Sequence, residues 1–438
     1  MPLFAALPRP PRQAERQAGG TAPGDSLPRT SIAVAALSTI VEWYDFTLYL
    51  FMATILSRVI FGGGAESLLA TLAVFAVSYL LRPVGALVFG RFGDRFGRRP
   101  VLLASMAVMA AAMFATTLLP THAQAGATAW AAFLALRCLM AFSVGGEYSA
   151  ISTYLYEGAR PGRRGLIASL ASMASEIGAL LAVAVSAITT TMLDHAALDN
   201  WGWRIPFAFG TFLALATLAA RSTLRETPVF AGQPTGRTHR PLRFTLRTQR
   251  AGLYRTFAIS ALASIAYYVG IIYVPTFLTS VSGFPEGSSL WLSTVASVTV
   301  IAVTPFAGAL SDRIGRRTTL LVLCAAAIAL PVFMFALMTA GSVTAALSGA
   351  VVLACIAGGI TAVGASAAAE QFAPAGRLTG LALGATAATA VFGGIAPYAA
   401  EFLTHATEWS LMPGALVAAV ALATLPVLAR MPETAVRG

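Results

Sequence analysis

Glu42 and Asp45 stand three residues apart inside the first long apolar run of this sequence, residues 31–55. That spacing puts both carboxylates on one helix face. Two like charges so close together and away from water suit a group that takes up and releases a proton. The competing use is structural: one or both locked in an ion pair with Arg82 or Arg137, which lie inside later apolar runs. Neither guanidinium can shed its charge, so each must meet a carboxylate or line water. Arg82 precedes Pro83, whose ring weakens the local backbone ladder, and its planar fork suits a carboxylate on a small ligand. Arg137 reads as the internal partner of a first-run carboxylate. Glu147, after Gly145 and Gly146, is open to either use, a proton route or an arginine pair. Glu176, thirteen residues into the fifth run, would favour a cationic or zwitterionic group, or else pair with an arginine.

The second half of the chain carries no charge in the middle of its apolar runs. Glu370 and Glu401 fall near run ends, so ionisable chemistry is biased to the first half. What the second half offers a ligand is Tyr267, Tyr268 and Tyr273, with hydroxyls and ring faces on the seventh run. His122, His195, His239 and His405 read as loop residues, and no metal-ligand spacing or nucleophile–base pair accompanies the carboxylates. Neither a metal, a cofactor nor an enzyme activity is expected.

The elements that must hold these side chains follow from composition. Of 438 residues 57% are hydrophobic and 11% charged, against about 25% charged in a soluble domain. Apolar runs at 31–55, 68–92, 100–120, 126–156, 164–192 and 204–221 are followed by a polar break at 222–254. Six more come at 255–281, 289–310, 318–340, 343–371, 378–403 and 409–430. Each is long enough for a transmembrane helix. The expected fold is therefore an all-α polytopic membrane protein with twelve transmembrane helices in two bundles, 31–221 and 255–430. Residues 1–30 read as a disordered tail, since they lack the 7–15-residue apolar core of a secretory signal, and 431–438 as a short second tail.

The net charge of +11 comes from 29 arginines and no lysine. Nucleic acid is an unlikely target for charges set in clusters between apolar runs, and the positive-inside rule accounts for them. With both termini in the cytoplasm, 25 of the 29 lie on that side; Arg58 and Arg204 lie near the outer side, and Arg82 and Arg137 within helices. Cys138, Cys324 and Cys355 fall far apart in apolar runs and read as free thiols.

A ten-residue pattern repeats: GRFGDRFGRR at Gly90–Arg99 returns as GALSDRIGRR at Gly308–Arg317, offset by 218 residues, each in the loop after the second helix of its half. Two six-helix halves of the same orientation are the arrangement of parallel-repeat transporters. In each copy the glycines, Gly90 and Gly97 or Gly308 and Gly315, allow close backbone approach. The carboxylate, Asp94 or Asp312, can pair with guanidiniums and face a helix N-terminus. The arginines, Arg95, Arg98 and Arg99 or Arg313, Arg316 and Arg317, can also anchor to anionic headgroups. The set reads as a cytoplasmic gate latch.

On this repeat the chain resembles the major facilitator superfamily. EWYDF at Glu42–Phe46, RPVG at Arg82–Gly85, GGEY at Gly145–Tyr148, WGWRIPF at Trp201–Phe207 and RETPVF at Arg225–Phe230 are similar to its metabolite:proton symporters. That group takes up citrate, α-ketoglutarate, shikimate and proline-type osmolytes. The resemblance implies proton-driven uptake of a small organic anion such as a di- or tricarboxylate across the bacterial inner membrane, by a monomer whose partners are substrate, protons and the lipid bilayer. By the same resemblance Tyr44 and Tyr148 join the candidate substrate contacts. The alternatives are import of a zwitterionic osmolyte or siderophore-like metabolite, and proton-coupled export of drugs or metabolites. Exporters of that type carry a Gly-Pro motif in the fifth span, where residues 164–192 hold Gly165 and Gly178 but no proline. The chain ends at Gly438 without the coiled-coil extension of osmosensing members, an expectation against regulation by that route.

Overall fold

The computed structural model describes residues 29–85, 88–89, 98–144, 163–222, 248–372 and 377–434. Helices account for nearly all of it. Helix α1 runs over Arg29–Phe51 and continues, after a break at Met52, as Ala53–Val59. It is followed by α2 (Glu66–Gly85), α3 (Arg98–Thr117), α4 (Ala127–Ser143), α5 (Arg164–Met192) and α6 (Arg204–Ser222). The second set is α7 (Arg250–Ile272, continued by Val274–Ser280), α8 (Glu286–Ile314), α9 (Arg316–Ala329 and Pro331–Met338), α10 (Val343–Ala369), α11 (Thr379–Thr407) and α12 (Met412–Ala429). Eight of these are long and apolar enough to cross a bilayer among the described residues, and α9 makes a ninth as a pair bent by 45°. Pro331 opens its second piece, where a missing N–H costs nothing.

Apolar side chains cover the outside as well as the core. Phe212, Phe306, Val322, Phe333 and Leu422 are all more than half exposed, the surface of a helix bundle whose solvent is lipid. Inside, the halves meet along two equivalent seams: α5 against α8 and α10, and α2 against α11, with the far ends of α1 and α7 also touching. Small residues set how closely the helices cross. A Cβ on Gly165 would stand 2.6 Å from the Gly308 carbonyl oxygen, and one on Gly178 2.3 Å from that of Ile40, so α5 lies backbone to backbone on α8 and α1.

Three features depart from the sequence expectation. The second signature copy is not a loop: Gly308–Ile314 form the last turns of α8, Arg316 opens α9, and Gly315 alone makes the turn with φ of 105°, a conformation glycine adopts freely. Helices α7 and α11 each contain a π-helical turn, at Tyr268–Ile272 and Ala390–Gly394. His405 lies in the last turn of α11 rather than in a loop, and His122 and His195 open short helices of their own. Gly90, Asp94, Arg95, Gly97, Glu147 and Tyr148 lie outside the described residues, as do most of the 1–30 tail and of the 222–254 break. Arg98 and Arg99 begin α3.

Candidate functional site

The i,i+3 face of α1 turns both carboxylates toward α2 and α4. Arg82 Nη2 donates to Glu42 Oε1 at 2.5 Å and its Nη1 to the Tyr79 hydroxyl at 3.2 Å. The guanidinium lies 4.5 Å from the centroid of the Phe46 ring, a cation–π contact that holds it when its carboxylate partner changes. Arg137 Nη1 donates to both oxygens of Asp45 at 3.1 Å and stacks 4.9 Å from the Tyr49 ring. The four charged side chains surround a cavity with room for about one water molecule, walled by Phe46, Met140 and Val144. Glu42 Oε2 has no hydrogen-bond partner among the described residues. A carboxylate oxygen left open beside a water-sized space is placed to accept a proton.

The neighbours of these carboxylates on α1 point elsewhere, because each residue advances the helix by about 100°. The Tyr44 hydroxyl donates to the Pro206 carbonyl at 2.7 Å and its ring packs on Phe209 of α6. Tyr44 is fully buried, and its hydroxyl is bound within the first half. Trp43 instead faces the second half, edge-on to Tyr267 of α7 at 5.7 Å. Tyr268 also faces the seam, its hydroxyl 3.3 Å from that of Tyr79. Glu176 is 4% exposed and interacts with Tyr267 across the seam.

Tyr273, one π turn beyond Tyr268, donates its hydroxyl to Glu401, a fully buried carboxylate on α11. Glu401 also takes a contact from Ser280 at 3.4 Å and pairs with His405 Nε2 at 3.0 Å. This clasp joins two helices of the same half and does not meet the α1–α2 site.

Ion pairs close the α5–α8 seam at both ends. At the signature end Asp312 accepts from the backbone N–H groups of Gly165 and Leu166 at 2.9 and 3.0 Å, at the start of α5. Arg316 Nη2 pairs with the same carboxylate at 2.5 Å, and its Nε lies 3.5 Å from Glu370. Arg313 and Arg317 are exposed, and of the three arginines in this copy Arg316 is the one paired with Asp312. Glu433, beyond α12, accepts from the Arg316 and Arg317 backbone N–H groups and so caps α9.

At the opposite end Arg58 pairs with Asp199 at 3.0 Å and with Glu286, at the start of α8, at 2.6 Å. Trp291 donates to Thr191 beside it. A half-exposed pair of this kind is worth about 0.2–1 kcal/mol after solvent screening, up to a roughly fivefold population ratio. Arg58→Ala should therefore speed thiol modification of a Gly287→Cys reporter several-fold in a chain freed of its three native cysteines. An unchanged rate would show that the triad bears no load in closing this end.

The comparisons agree with this architecture. The sugar (and other) transporter family matches residues 31–240 and again 238–438. An ectoine/proline transporter of Corynebacterium glutamicum is 32% identical, over 88% of this chain and 80% of that relative. A citrate-proton symporter of Klebsiella pneumoniae is 34% identical over 85% of each. The α-ketoglutarate permease of Escherichia coli is 34% identical over 84% of this chain and 86% of its own. Among solved structures, the E. coli xylose transporter in a partially occluded inward-open conformation superimposes with a TM-score of 0.72, covering 93% of this chain and 99% of that one at 18% identity. With twelve helices in two repeated halves and a family match to each half, the chain belongs to the sugar (and other) transporter family of the major facilitator superfamily and is a multi-pass membrane transporter, not an enzyme.

Proposed function

We propose that the chain is a proton-coupled symporter of the bacterial inner membrane that imports a small organic acid, with its signature end and both termini in the cytoplasm. The observation that carries this reading is the Arg82–Glu42 pair, with Glu42 Oε2 open beside a water-sized cavity. A substrate carboxylate arriving at Arg82 competes with Glu42 for the same guanidinium. Glu42, losing its counter-ion in a low-dielectric site, is then best accommodated by taking a proton. Each ligand thus favours the other's binding, which is the linkage a symporter needs. Asp45 holds Arg137 and keeps the second charge compensated. The orientation is supported by the arginine distribution, and carboxylate transport by the names of the citrate and α-ketoglutarate relatives.

Right-side-out vesicles with an imposed inward pH gradient test the reading, using labelled citrate, α-ketoglutarate, proline and glycine betaine. At least one carboxylate compound should accumulate, and a protonophore should reduce accumulation to the equilibrium level. Accumulation indifferent to the protonophore, or none with any carboxylate compound, would overturn it.

A further inference from the structure

Among the described residues Glu176 is the one mid-span carboxylate with no arginine: no ion pair includes it. It is 4% exposed, contributed by the first half, and the group it meets is Tyr267 of the second half. The Tyr267 ring packs on Trp43 at 5.7 Å and on Tyr268 at 5.5 Å, and the Tyr268 hydroxyl reaches Tyr79, which takes a hydrogen bond from Arg82. One continuous set of polar and aromatic groups therefore runs from Arg82 to Glu176 along the seam between the halves, where transporters of this build bind substrate.

The charges at mid-span decide what fits there. Among the described residues Glu42 pairs with Arg82 and lies within electrostatic reach of buried Arg221, Asp45 pairs with Arg137, and Glu176 has no such partner. A second carboxylate on the ligand would meet no cation at Glu176. A buried carboxylate without a cation is costly, and a cation brought by the ligand relieves that cost. The Trp43 and Tyr267 rings meet edge to face across the seam, and the outer aromatic face of such a pair attracts a cation.

We infer that Glu176, Trp43 and Tyr267 form a cation-accepting subsite, so that the substrate is a zwitterion with its carboxylate at Arg82 and its ammonium at Glu176. This rests on the carboxylate–Arg82 reading above and adds the other end of the ligand. It also narrows the substrate away from polycarboxylates.

The test compares each zwitterion with an isostere that lacks the positive centre: glycine betaine against 3,3-dimethylbutyrate, and proline against cyclopentanecarboxylate. Binding is measured on the full chain in proteoliposomes. The wild type should prefer at least one zwitterion over its isostere by about tenfold or more. Glu176→Gln should lose most of that preference; Glu176→Asp should keep part of it, and Trp43→Leu should weaken it. The two milder variants carry the test if Glu176→Gln does not fold. Equal affinity for both members of both pairs in the wild type would overturn the subsite, as would a preference that survives Glu176→Gln. Loss of gradient-driven uptake with the preference retained would make Glu176 a proton carrier instead. If plain carboxylates accumulate and zwitterions do not, the subsite alone fails. If no carboxylate compound binds or accumulates, the Arg82 reading fails with it.

Discussion

Glu42→Gln is expected to abolish accumulation driven by a pH gradient while exchange of substrate across the membrane persists. Gln keeps the shape of the side chain but cannot be deprotonated, so substrate binding at Arg82 no longer carries a proton with it. For one proton and a gradient of one pH unit, the driving force is about 1.4 kcal/mol, a roughly tenfold accumulation. In the variant that ratio should fall to about one. Arg82 should stay in place, held by the Tyr79 hydroxyl and the Phe46 ring. Asp45→Asn should also lose accumulation, but through a different fault. Both Asp45 oxygens serve one buried guanidinium, and breaking such a pair costs about 3–5 kcal/mol. Less folded protein and a lower melting temperature should accompany that variant. Tenfold accumulation in Glu42→Gln, measured in vesicles of matched protein content, would remove the proton role from Glu42.

The parts of this site that were legible in the sequence are those set by spacing along the chain. The i,i+3 interval of Glu42 and Asp45, the intramembrane arginines, the twelve apolar runs and the duplicated Asp–Arg pattern all follow from intervals and composition. The parts that were not legible depend on how each helix is rotated and what it meets. Tyr44 is one residue from Asp45, yet that single step aims it at Pro206 on α6. Tyr273 reads with Tyr267 and Tyr268 as one aromatic cluster, but its partner Glu401 is 128 residues away, and nothing local in the sequence marks that pair. Arg58 read only as a topology marker, since its partner Glu286 is 228 residues away, and no local signal announces a pair that long. Tyr79 and Trp43 carry no signal in the sequence, because aromatic residues in an apolar run read as packing until the seam places them.

Asp312→Asn should open the signature end of the α5–α8 seam. In the closed seam its carboxylate does three things: it accepts from Gly165 N–H, accepts from Leu166 N–H, and pairs with Arg316. An amide can accept at its oxygen only, so one of the two backbone N–H groups loses its acceptor. The charge that faced the α5 N-terminus is lost as well. Charge-assisted hydrogen bonds of this kind contribute about 1.5–3 kcal/mol, which converts to a roughly 10- to 150-fold change in the ratio of closed to open. Ser169 is the natural reporter position, because it is fully buried and a Cβ on Gly308 would meet its Oγ at 2.6 Å. In a chain freed of Cys138, Cys324 and Cys355, a Ser169→Cys thiol should become reactive from the signature side when Asp312 is replaced. A Gly287→Cys thiol at the other end should become less reactive, since one seam cannot open at both ends in alternating access. Turnover should slow, and apparent affinity from the far side should fall in proportion to the competent fraction. The same two thiols distinguish a latch from a topology signal. If Asp312 merely helped the neighbouring arginines to set orientation, neither rate would move, and the seam would owe its closure to the glycine contact between α5 and α8 alone.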